Sequence, residues 1–511
     1  MGSVCLVGAG PGDPGLITVT GRARLREADA VVFDALANPA LLAEARDDAQ
    51  RIDVGKRADF HKLTQDQTNQ LLVDLARAGK RVVRLKGGDP YLFGRGAEEC
   101  AFVTKHGVPC EVVPGVTSGL AAPATAGIPV THRKVASTVT IVTGHEDPTK
   151  SETSVDYPGL AGLIGRGGTA CFYMGVGRLS QIADALADAG LPRSTPAAVV
   201  QWGTLPRQRT ARGTLDTIRA EVERTGVASP AIIVVGSVAA IDEPGLDYFT
   251  ARPLFGRRVL VTRTRQQASD LRRHLEDRGA EVVEAPTLEL VPPDDWVEVD
   301  DRVECIDTYG WLILTSVNAV DTLADRLAAI GRDVRQLGRV QTAVVGDATA
   351  DALWDRLRLR PDFVPREFSG SSMAKQLVED RPITGQRCLL LRADIARPAL
   401  PETLRDAGAE VDEVVAYRTR RPEALAPETL DALREGIDWV TFTSSSTVRN
   451  LVELLGGDRG LLDGVQTASI GPLTSATMRE LGLPVTVEAE AAGVEPLVDA
   501  IVSAEDGVAS R

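Results

Sequence analysis

The chain has 511 residues, of which 43% are apolar and 25% are charged, and its formal net charge is -14. This length and composition predict a globular protein of roughly three or four domains, each able to bury a core. The acidic balance argues against nucleic acid as the main partner, because phosphate binding depends on clustered positive charge.

The cysteines and the hydropathy of the chain bear on its cellular compartment and on metal and membrane binding. The six cysteines are scattered, with no Cys-x-x-Cys pair and no His/Cys metal spacing. We therefore expect a reduced, cytoplasmic protein without a bound metal. No apolar run approaches the length of a membrane span, so no membrane partner is expected.

The first predicted element is a buried strand over residues 3–7, which runs into the glycine-rich loop 8–15 and then into helical spacing over 16–28. A glycine loop between a first strand and a first helix commonly binds anions and nucleotides. One interpretation is a dinucleotide fingerprint, with Asp34 as the ribose-binding acid. Asp13 stands where the third glycine of that fingerprint belongs, which argues against NAD binding.

A second glycine loop follows the strand predicted over residues 81–85. Gly87-Gly88-Asp89-Pro90 ends this strand before a helical pattern that begins near Gly96. Adjacent glycines let the chain turn sharply and let a ligand approach the backbone. From these residues alone, a tight turn and a binding loop are equally good interpretations.

Strands alternate with helices along this first part of the chain, which predicts a parallel α/β sheet. Ligands of such sheets bind beyond the carboxyl ends of the strands. The loops that hold Pro11, Asp34, Lys56, Asp89 and Thr117 all follow predicted strands. We expect Thr117 or Ser118 to cap the helix that follows.

Several motifs in these loops occur in one order. They are GAGPGDP at 8–14, GKR at 55–57, VRLKGGDP at 83–90, FGRG at 93–96, VPGVTS at 113–118, AGIPVTHR at 126–133, FYMG at 172–175 and the turn at 203–204. Over about residues 3–242 the chain thereby resembles the uroporphyrinogen-III C-methyltransferases of the tetrapyrrole methylase superfamily.

That resemblance implies transfer of methyl groups from S-adenosylmethionine to two carbons of uroporphyrinogen III, which gives precorrin-2, the branch point toward siroheme and corrinoids. It implies Asp34 as proton acceptor and Lys56 as proton donor. It implies contacts to S-adenosylmethionine from Pro11, Gly87, Gly88, Asp89, Leu92, Thr117, Ser118, Met174 and Gly203. Taken singly, Asp34 also fits a solvated strand end, Lys56 a surface charge and Met174 a core position.

A domain boundary is predicted over residues 243–255, where prolines and glycines interrupt the pattern. Tyr248, Phe249, Leu254 and Phe255 indicate that this linker packs on a surface.

The second half repeats itself. Residues 256–263, 279–282, 311–316 and 340–346 recur in the same order as 385–392, 408–411, 439–444 and 465–471. The repetition predicts two similar α/β lobes with a ligand cleft between them, and by itself suggests a simple tandem. A two-lobed solute-binding module without catalytic activity is one interpretation.

A second resemblance rests on residues 256–263, 314–316, 416–418, 442–446 and 469–472. Over about residues 256–503 the chain resembles uroporphyrinogen-III synthase, which closes hydroxymethylbilane into uroporphyrinogen III with loss of water and inversion of the last ring. The family fold implies exchanged lobes, one of about 256–290 plus 417–503 and one of about 295–412.

In this half, Tyr417 matches a recurrent tyrosine of the family and is a candidate to assist departure of the hydroxyl, or else an interfacial packing residue. Arg263 and Arg392 occupy equivalent repeat positions and suit the substrate carboxylates. Hydroxyls at strand ends, which also suit helix capping, are candidates for the same carboxylates: Thr315, Ser316, Thr443, Ser444 and Ser445.

The sequence thus predicts an α/β protein with a methyltransferase over 1–242, in lobes of about 1–114 and 115–242, and a synthase over 256–511. Both halves are expected to act on tetrapyrroles. The first resemblance implies a homodimer through the methyltransferase half. The alternatives are a methyltransferase fused to a binding module, or an NAD(P)-dependent reductase.

Overall fold

The computed structural model describes residues 2–55, 63–145, 153–262, 265–367, 370–396, 398–456 and 459–509. The chain separates into two compact units. One comprises Met1–Val259, Arg273–Val282 and Val502–Arg511, and the other comprises Leu260–Arg272 and Val283–Ile501. No helix within the described ranges is long and apolar enough to cross a membrane.

The first lobe is a sheet of five parallel strands with order β3-β2-β4-β1-β5. Its elements are β1 (Ser3–Gly8), α1 (Val19–Glu27), β2 (Ala30–Phe33), β3 (Gln50–Asp53), α2 (Gln65–Arg77), β4 (Arg81–Lys86), α3 (Gly96–Lys105) and β5 (Cys110–Val113). The predicted parallel sheet is confirmed. Its strands all end at one edge, so the loops after β1, β2, β4 and β5 share that edge.

The second lobe has a mixed sheet of order β6-β7-β10-β8-β9. Its elements are α4 (Ser118–Thr125), which packs on this sheet, β6 (Thr138–Thr143), α5 (Tyr157–Gly165), β7 (Gly168–Tyr173), α6 (Leu179–Asp188), β8 (Pro196–Gln201), β9 (Arg209–Thr214), α7 (Ile218–Thr225) and β10 (Ala231–Val235). β6 and β7 are parallel, whereas β10 runs antiparallel to both β7 and β8. β8 and β9 are consecutive along the chain and also pair antiparallel, as a hairpin.

The predicted linker packs mainly through its apolar side chains. Phe249 and Leu254 are buried, and the ring centroids of Phe249 and Phe255 lie 5.6 Å apart. The Arg252 guanidinium stands 4.6 Å above the Phe249 ring. The predicted packing is confirmed for these residues, but it is wrong for Tyr248, which is 56% exposed.

The rest of the chain forms two further sheets. Its elements are β11 (Arg258–Val261), α8 (Arg265–Asp277), β12 (Glu281–Glu284), β13 (Glu289–Val291), α9 (Val297–Glu304), β14 (Trp311–Leu314), α10 (Val317–Ala329), β15 (Gln341–Val344), α11 (Asp347–Leu357), α12 (Gly370–Asp380), β16 (Arg387–Ala393), α13 (Ala399–Asp406), β17 (Glu410–Arg420), α14 (Pro427–Glu435), β18 (Trp439–Phe442), α15 (Ser445–Leu454), β19 (Gln466–Ser469), α16 (Pro472–Glu480), β20 (Val487–Glu488) and α17 (Val494–Ala509).

The third lobe has strand order β12-β11-β18-β19-β20, and the fourth has β13-β17-β16-β14-β15. The fourth sheet is parallel except for β13, which runs antiparallel to β17. In the third sheet, β18, β19 and β20 run parallel to one another. The predicted α/β class with mainly parallel sheets is confirmed for this half.

The sequence repeats occupy equivalent strands, but each sheet mixes the two copies. The repeated glycines before β11 and β16, Gly256 and Gly385, both adopt a left-handed conformation, with φ of 80° and 73°. β11 and β16 nevertheless lie in different sheets, each beside strands of the other copy. The simple tandem suggested by repetition alone is therefore wrong.

Candidate functional site

Three glycine turns meet at the carboxyl edge of the first sheet. Gly10 and Gly88 exchange backbone hydrogen bonds, with N···O distances of 3.3 and 2.7 Å. A Cβ atom built on Gly115 would lie 2.1 Å from the Gly88 carbonyl oxygen, and one built on Gly8 would lie 2.5 Å from the Gly115 Cα. Because real Cβ atoms do not approach so closely, these turns can meet only as glycines.

Asp89 ties two of these turns together. Its Oδ1 accepts a hydrogen bond from the Tyr91 amide at 2.8 Å, and its Oδ2 accepts one from the Gly115 amide at 3.0 Å. The Leu92 amide donates to the Asp89 carbonyl at 3.3 Å. The carboxylate thus sets the shape of the loop, and each of its oxygens keeps a second acceptor position for a ligand.

The turn after β8 brings the second lobe into contact with the loops at the carboxyl edge of the first sheet. Gly203 lies so close to α4 that a Cβ atom would be 2.2 Å from the Ala122 Cβ. The next residue, Thr204, accepts a hydrogen bond at its Oγ1 from the Asp13 amide at 3.0 Å. This contact joins the glycine loop after β1, which contains Pro11, to a turn nearly two hundred residues later.

Tyr173, at the end of β7, contacts the start of α4. Its hydroxyl lies 2.5 Å from the Thr117 Oγ1 and accepts a hydrogen bond from the Gly119 amide. Thr117 is the residue at the N-terminal cap position of α4, but its side chain makes no capping hydrogen bond. The hydroxyl of Tyr173 takes over part of that role. The expected cap position at Thr117 is therefore confirmed, but its side chain does not supply the capping hydrogen bond. Ser118 is the first residue of α4 and is half-buried.

Met174 follows Tyr173 and is 51% exposed, so its interpretation as a core residue is wrong. Its φ of 55° is unusual for a residue with a side chain. The same backbone region is occupied by four other non-glycine residues of these loops: Phe93, Arg95, Trp202 and Thr204. Strained residues gather where a surrounding structure holds them, as in ligand sites. No sequence signal marks them.

Asp34 follows β2 at the same edge. Its side chain is 27% exposed, and its Oδ2 accepts a hydrogen bond from the Arg84 Nη2 at 3.0 Å. Its Oδ1 accepts one from the Leu36 amide at 3.2 Å. Lys56, the expected proton donor, lies outside the described residues.

A buried group of charges lies behind Asp34. The Glu99 side chain is fully buried, and its Oε1 accepts from Arg84 Nε at 3.4 Å, from Lys86 Nζ at 3.0 Å and from Gln65 Nε2 at 2.9 Å. Burial lowers the pKa of the Lys86 ammonium, the Arg84 charge lowers it further, and the Glu99 carboxylate opposes both effects.

The buried contacts among Arg84, Lys86 and Glu99 were not predicted from the sequence. The available signal was the pair of cations two residues apart in an apolar strand, because that spacing puts both on one face of the sheet. Among the described residues, no group of acidic, histidine or cysteine side chains has a geometry that could hold a metal ion.

In the fourth lobe, the structure brings Ser316 and Tyr417 together. The Ser316 Oγ lies 3.0 Å from the Tyr417 hydroxyl and accepts a hydrogen bond from the Ala319 amide at 3.2 Å, which caps α10. Thr315 precedes it at the end of β14 and is half-buried. Tyr417 is partly buried beside the core of this lobe.

The corresponding hydroxyls of the third lobe lie at the end of β18. Ser444 caps α15 by accepting from the Thr447 amide at 3.3 Å. Ser445 Oγ donates to the Leu473 carbonyl at 3.2 Å, and Thr443 is half-buried. These residues belong to a different sheet from Ser316 and Tyr417.

Of the two arginines expected to bind substrate, the structure describes Arg392. Arg392 is nearly buried, and its Nη1 donates to the Glu413 Oε2 at 2.8 Å. The other Glu413 oxygen pairs with Arg405 at 2.8 Å. Arg263 lies outside the described residues.

Comparison with known proteins gives a match in each half. The family model for tetrapyrrole (corrin/porphyrin) methylases matches residues 3–219, and the model for uroporphyrinogen-III synthase HemD matches residues 269–499. Over 507 residues, the chain is 36% identical to the porphyrin biosynthesis protein HemD of Ruminiclostridium josui, and the alignment covers 99% of each protein.

Two further similarities concern the first half. The chain is 47% identical over 242 residues to an S-adenosyl-L-methionine-dependent uroporphyrinogen III methyltransferase of Methanosarcina barkeri, covering 47% of this chain and 94% of the relative. It is 38% identical to a solved uroporphyrin-III C-methyltransferase from Thermus thermophilus complexed with S-adenyl homocysteine, covering 46% of this chain and 98% of that chain, with a TM-score of 0.40.

The full-length match and the two family matches agree with the two-part structure. The chain therefore belongs to the porphyrin biosynthesis proteins that join a tetrapyrrole methylase to a uroporphyrinogen-III synthase of the HemD family.

Proposed function

We propose that the protein catalyses two consecutive steps of tetrapyrrole synthesis. The synthase half closes hydroxymethylbilane into uroporphyrinogen III, with loss of water and inversion of the last ring. The methyltransferase half then transfers two methyl groups from S-adenosylmethionine to this product, which gives precorrin-2. The observation that carries the second step is the meeting of loops from the first two lobes around Gly88.

The shape of these loops fits an adenosyl ligand. Gly88 has a φ of 66°, and no described atom lies within 4 Å of the place where its Cβ would stand. In the loops of the same two lobes, Phe93 and Met174 expose apolar surface that suits a nucleoside. We propose that S-adenosylmethionine is held by Pro11, Gly87, Gly88, Asp89, Leu92, Thr117, Ser118, Met174 and Gly203.

When bound, S-adenosylmethionine supplies an electrophilic methyl group to an electron-rich pyrrole carbon. The loops contribute by orienting the two reactants, because an in-line transfer depends chiefly on positioning. Asp34 accepts the proton displaced from the macrocycle, a role that typically contributes about 10²–10⁴-fold to a rate. Lys56 returns a proton.

A calorimetric titration of the full chain tests the ligand. We expect binding of S-adenosylmethionine and none of NAD(P), and the opposite pattern would support the reductase interpretation instead.

Gly88→Ala should weaken binding of S-adenosylmethionine, because a methyl group would enter the open space. Gly190→Ala is the matched control, since Gly190 also has a positive φ and no described atom near its Cβ position, but lies beyond α6. Equal effects of both variants would argue against the site.

In the synthase half, Tyr417 donates a hydrogen bond to the departing hydroxyl of hydroxymethylbilane as the C–O bond breaks. The adjacent Ser316 holds the tyrosine hydroxyl in place. The substrate carboxylates are bound by paired donors of Arg263 and Arg392 and by the hydroxyls and amides at strand ends, namely Thr315, Thr443, Ser444 and Ser445.

The product isomer tests the synthase. We expect uroporphyrinogen III from hydroxymethylbilane, whereas a non-catalytic binding module would leave the uninverted isomer forming at its spontaneous rate. Tyr417→Phe should slow formation of the inverted isomer. Tyr309→Phe removes another tyrosine hydroxyl of the same lobe, one that donates to Asp412. If Tyr309→Phe slows the reaction as much, the role of Tyr417 is not specific.

The methyltransferase half is also proposed to form a homodimer, which its resemblance to that family supports. Sedimentation of the full chain should then give twice the mass of the 54.3 kDa chain. A single-chain mass at micromolar concentration would contradict the dimer.

A cytoplasmic location is proposed from the cysteine spacing, and cell fractionation checks it.

A further inference from the structure

We propose that Arg84 and Glu99 are positioning residues for methyl transfer, which hold the Asp34 carboxylate through two linked ion pairs, one buried and one partly buried. The proposal rests on the role of Asp34 proposed above. Neither residue needs to touch the substrate, since the Arg84 side chain is only 6% exposed and the Glu99 side chain is fully buried.

The Arg84 guanidinium connects the two carboxylates. Its Nε points to Glu99 Oε1 at 3.4 Å, its Nη1 donates to the Leu85 carbonyl at 3.1 Å, and its Nη2 donates to Asp34 Oδ2 at 3.0 Å. The rigid, planar fork of arginine can serve these three acceptors at once, whereas the single ammonium of lysine cannot. The hydrogen bond from Arg84 to Oδ2 and the one from the Leu36 amide to Oδ1 together fix the orientation of the Asp34 carboxylate.

The position of Arg84 in the sheet argues against a packing role. In the register of the parallel strands, Arg84 stands between Val32 of β2 and Leu6 of β1, and both neighbours are fully buried aliphatic residues. An aliphatic side chain at this place would extend the core without burying a charge. Replacing buried ion pairs by apolar residues is often neutral or stabilising, so the charges are not explained by stability.

Burying the Glu99 carboxylate adds to the free-energy cost of keeping these charges inside the protein. Its Oε2 is buried and has no hydrogen-bond partner among the described residues, while its Oε1 takes three donors. The Glu99 carboxylate offsets the charges of the two buried cations of β4. Because it contacts Nε of Arg84, the Nη2 of the same guanidinium is left to contact Asp34. The chain of contacts therefore ends at the proposed proton acceptor.

The test compares Arg84→Lys with the control Lys86→Met. Arg84→Lys keeps the buried charge but loses the simultaneous contacts. We expect kcat for methyl transfer to fall about tenfold or more, since small misplacements of reacting groups have large effects on rate. KM and the calorimetric Kd for S-adenosylmethionine should stay within about twofold. Lys86 contacts Glu99 without bonding to Asp34, so Lys86→Met should change kcat by less than about threefold.

A double-mutant cycle with Asp34→Asn separates positioning from general damage. Arg84→Lys should have no further effect on the residual methyl-transfer rate in the Asp34→Asn background, because both changes remove the same oriented carboxylate. Additive losses, or equal losses in Arg84→Lys and Lys86→Met, would overturn the proposal. Full methylation by Asp34→Asn alone would instead overturn the assigned role of Asp34.

If Arg84→Lys fails to fold, Glu99→Gln combined with Lys86→Met gives a second test. This pair removes one buried charge of each sign and leaves Arg84 without its anchor. The expected result is again a lower kcat with unchanged calorimetric binding of S-adenosylmethionine. Unchanged kcat in this folded double variant would overturn the proposal.

Discussion

Gln208 shows how one buried side chain joins parts of the proposed cofactor pocket. Its Oε1 accepts from the Thr125 hydroxyl at 2.7 Å and from the Thr204 amide at 3.1 Å, and its Nε2 donates to the Thr125 carbonyl at 3.1 Å. Thr204 in turn holds the Asp13 amide. Gln208 therefore supports the contact between the Gly203 turn and the first glycine loop.

We predict that Gln208→Leu weakens S-adenosylmethionine binding. Leucine has a similar size but leaves buried polar groups unpaired, at about 1–3 kcal/mol for each group. KM for S-adenosylmethionine should rise about tenfold, while kcat at saturation should change little. Steady-state kinetics with thermal unfolding of each variant check this.

Gln201→Leu provides the control for that variant. Gln201 is also buried, at the end of β8, and its Oε1 has no hydrogen-bond partner among the described residues. Its replacement should cost little stability. If Gln201→Leu raises KM as much as Gln208→Leu, the hydrogen bonds of Gln208 are not the cause.

At the scale of elements, the two repeats place similar serines at the starts of α10 and α15. Ser316 and Ser444 both cap a helix, and Ser316 also contacts the Tyr417 hydroxyl. Alanine at either position should remove a cap worth about 1 kcal/mol. We predict that Ser316→Ala lowers kcat of the synthase, while Ser444→Ala raises KM for hydroxymethylbilane.

Rates of uroporphyrinogen III formation over a range of hydroxymethylbilane concentrations separate the two effects, and chemical unfolding measures the lost caps. The same kinetic change in both variants would mean that the contact with Tyr417 has no special role.

Asp29 links the starts of β2 and β4, the strands that lead to Asp34 and Gly87. Its carboxylate accepts from the Arg81 amide at 2.8 Å and pairs with the Arg81 and Arg46 guanidinium groups. The side-chain hydrogen bond from Arg81 is the main cause that lowers the pKa of Asp29 to about 2 from its ordinary 3.8.

Because the folded pKa of Asp29 is below its unfolded value, the charged form stabilises the fold above about pH 4, and this contribution is lost as the pH falls toward 2. Solvent screening limits it to about 1 kcal/mol. We predict that Asp29→Asn lowers the free energy of unfolding at pH 7 by that amount, and that the difference from wild type shrinks below pH 4. Urea unfolding at several pH values checks this, with Asp184→Asn as an exposed ion-pair control.

At the scale of the whole molecule, each proposed site is built within one of the two compact units. We therefore predict that Asp34→Asn strongly reduces methylation and leaves uroporphyrinogen III formation at the wild-type rate. Tyr417→Phe should do the reverse. Both activities are measured on the same full-length preparation by methyl transfer and by the isomer assay. Parallel loss of both activities in either variant would indicate misfolding instead of a local chemical role.

Part of this organisation could be predicted because it depends on local chemistry. Glycine at 8 and 115 marks turns that only a residue without a Cβ can form, and alternating strands and helices predicted the parallel first sheet. The missing capping hydrogen bond of the Thr117 side chain could not be predicted, because it depends on where Tyr173 lies relative to α4.

The sequence by itself determined the α/β class, the order of the glycine motifs, the family of each half and the repeat in the second half, since these follow from residue type and spacing. Only the tertiary structure decided that Thr204 meets Asp13 and that Arg84 joins Asp34 to Glu99. Such contacts join distant parts of the chain. They depend on how packed elements approach one another in space, which the spacing of residues along the chain does not encode.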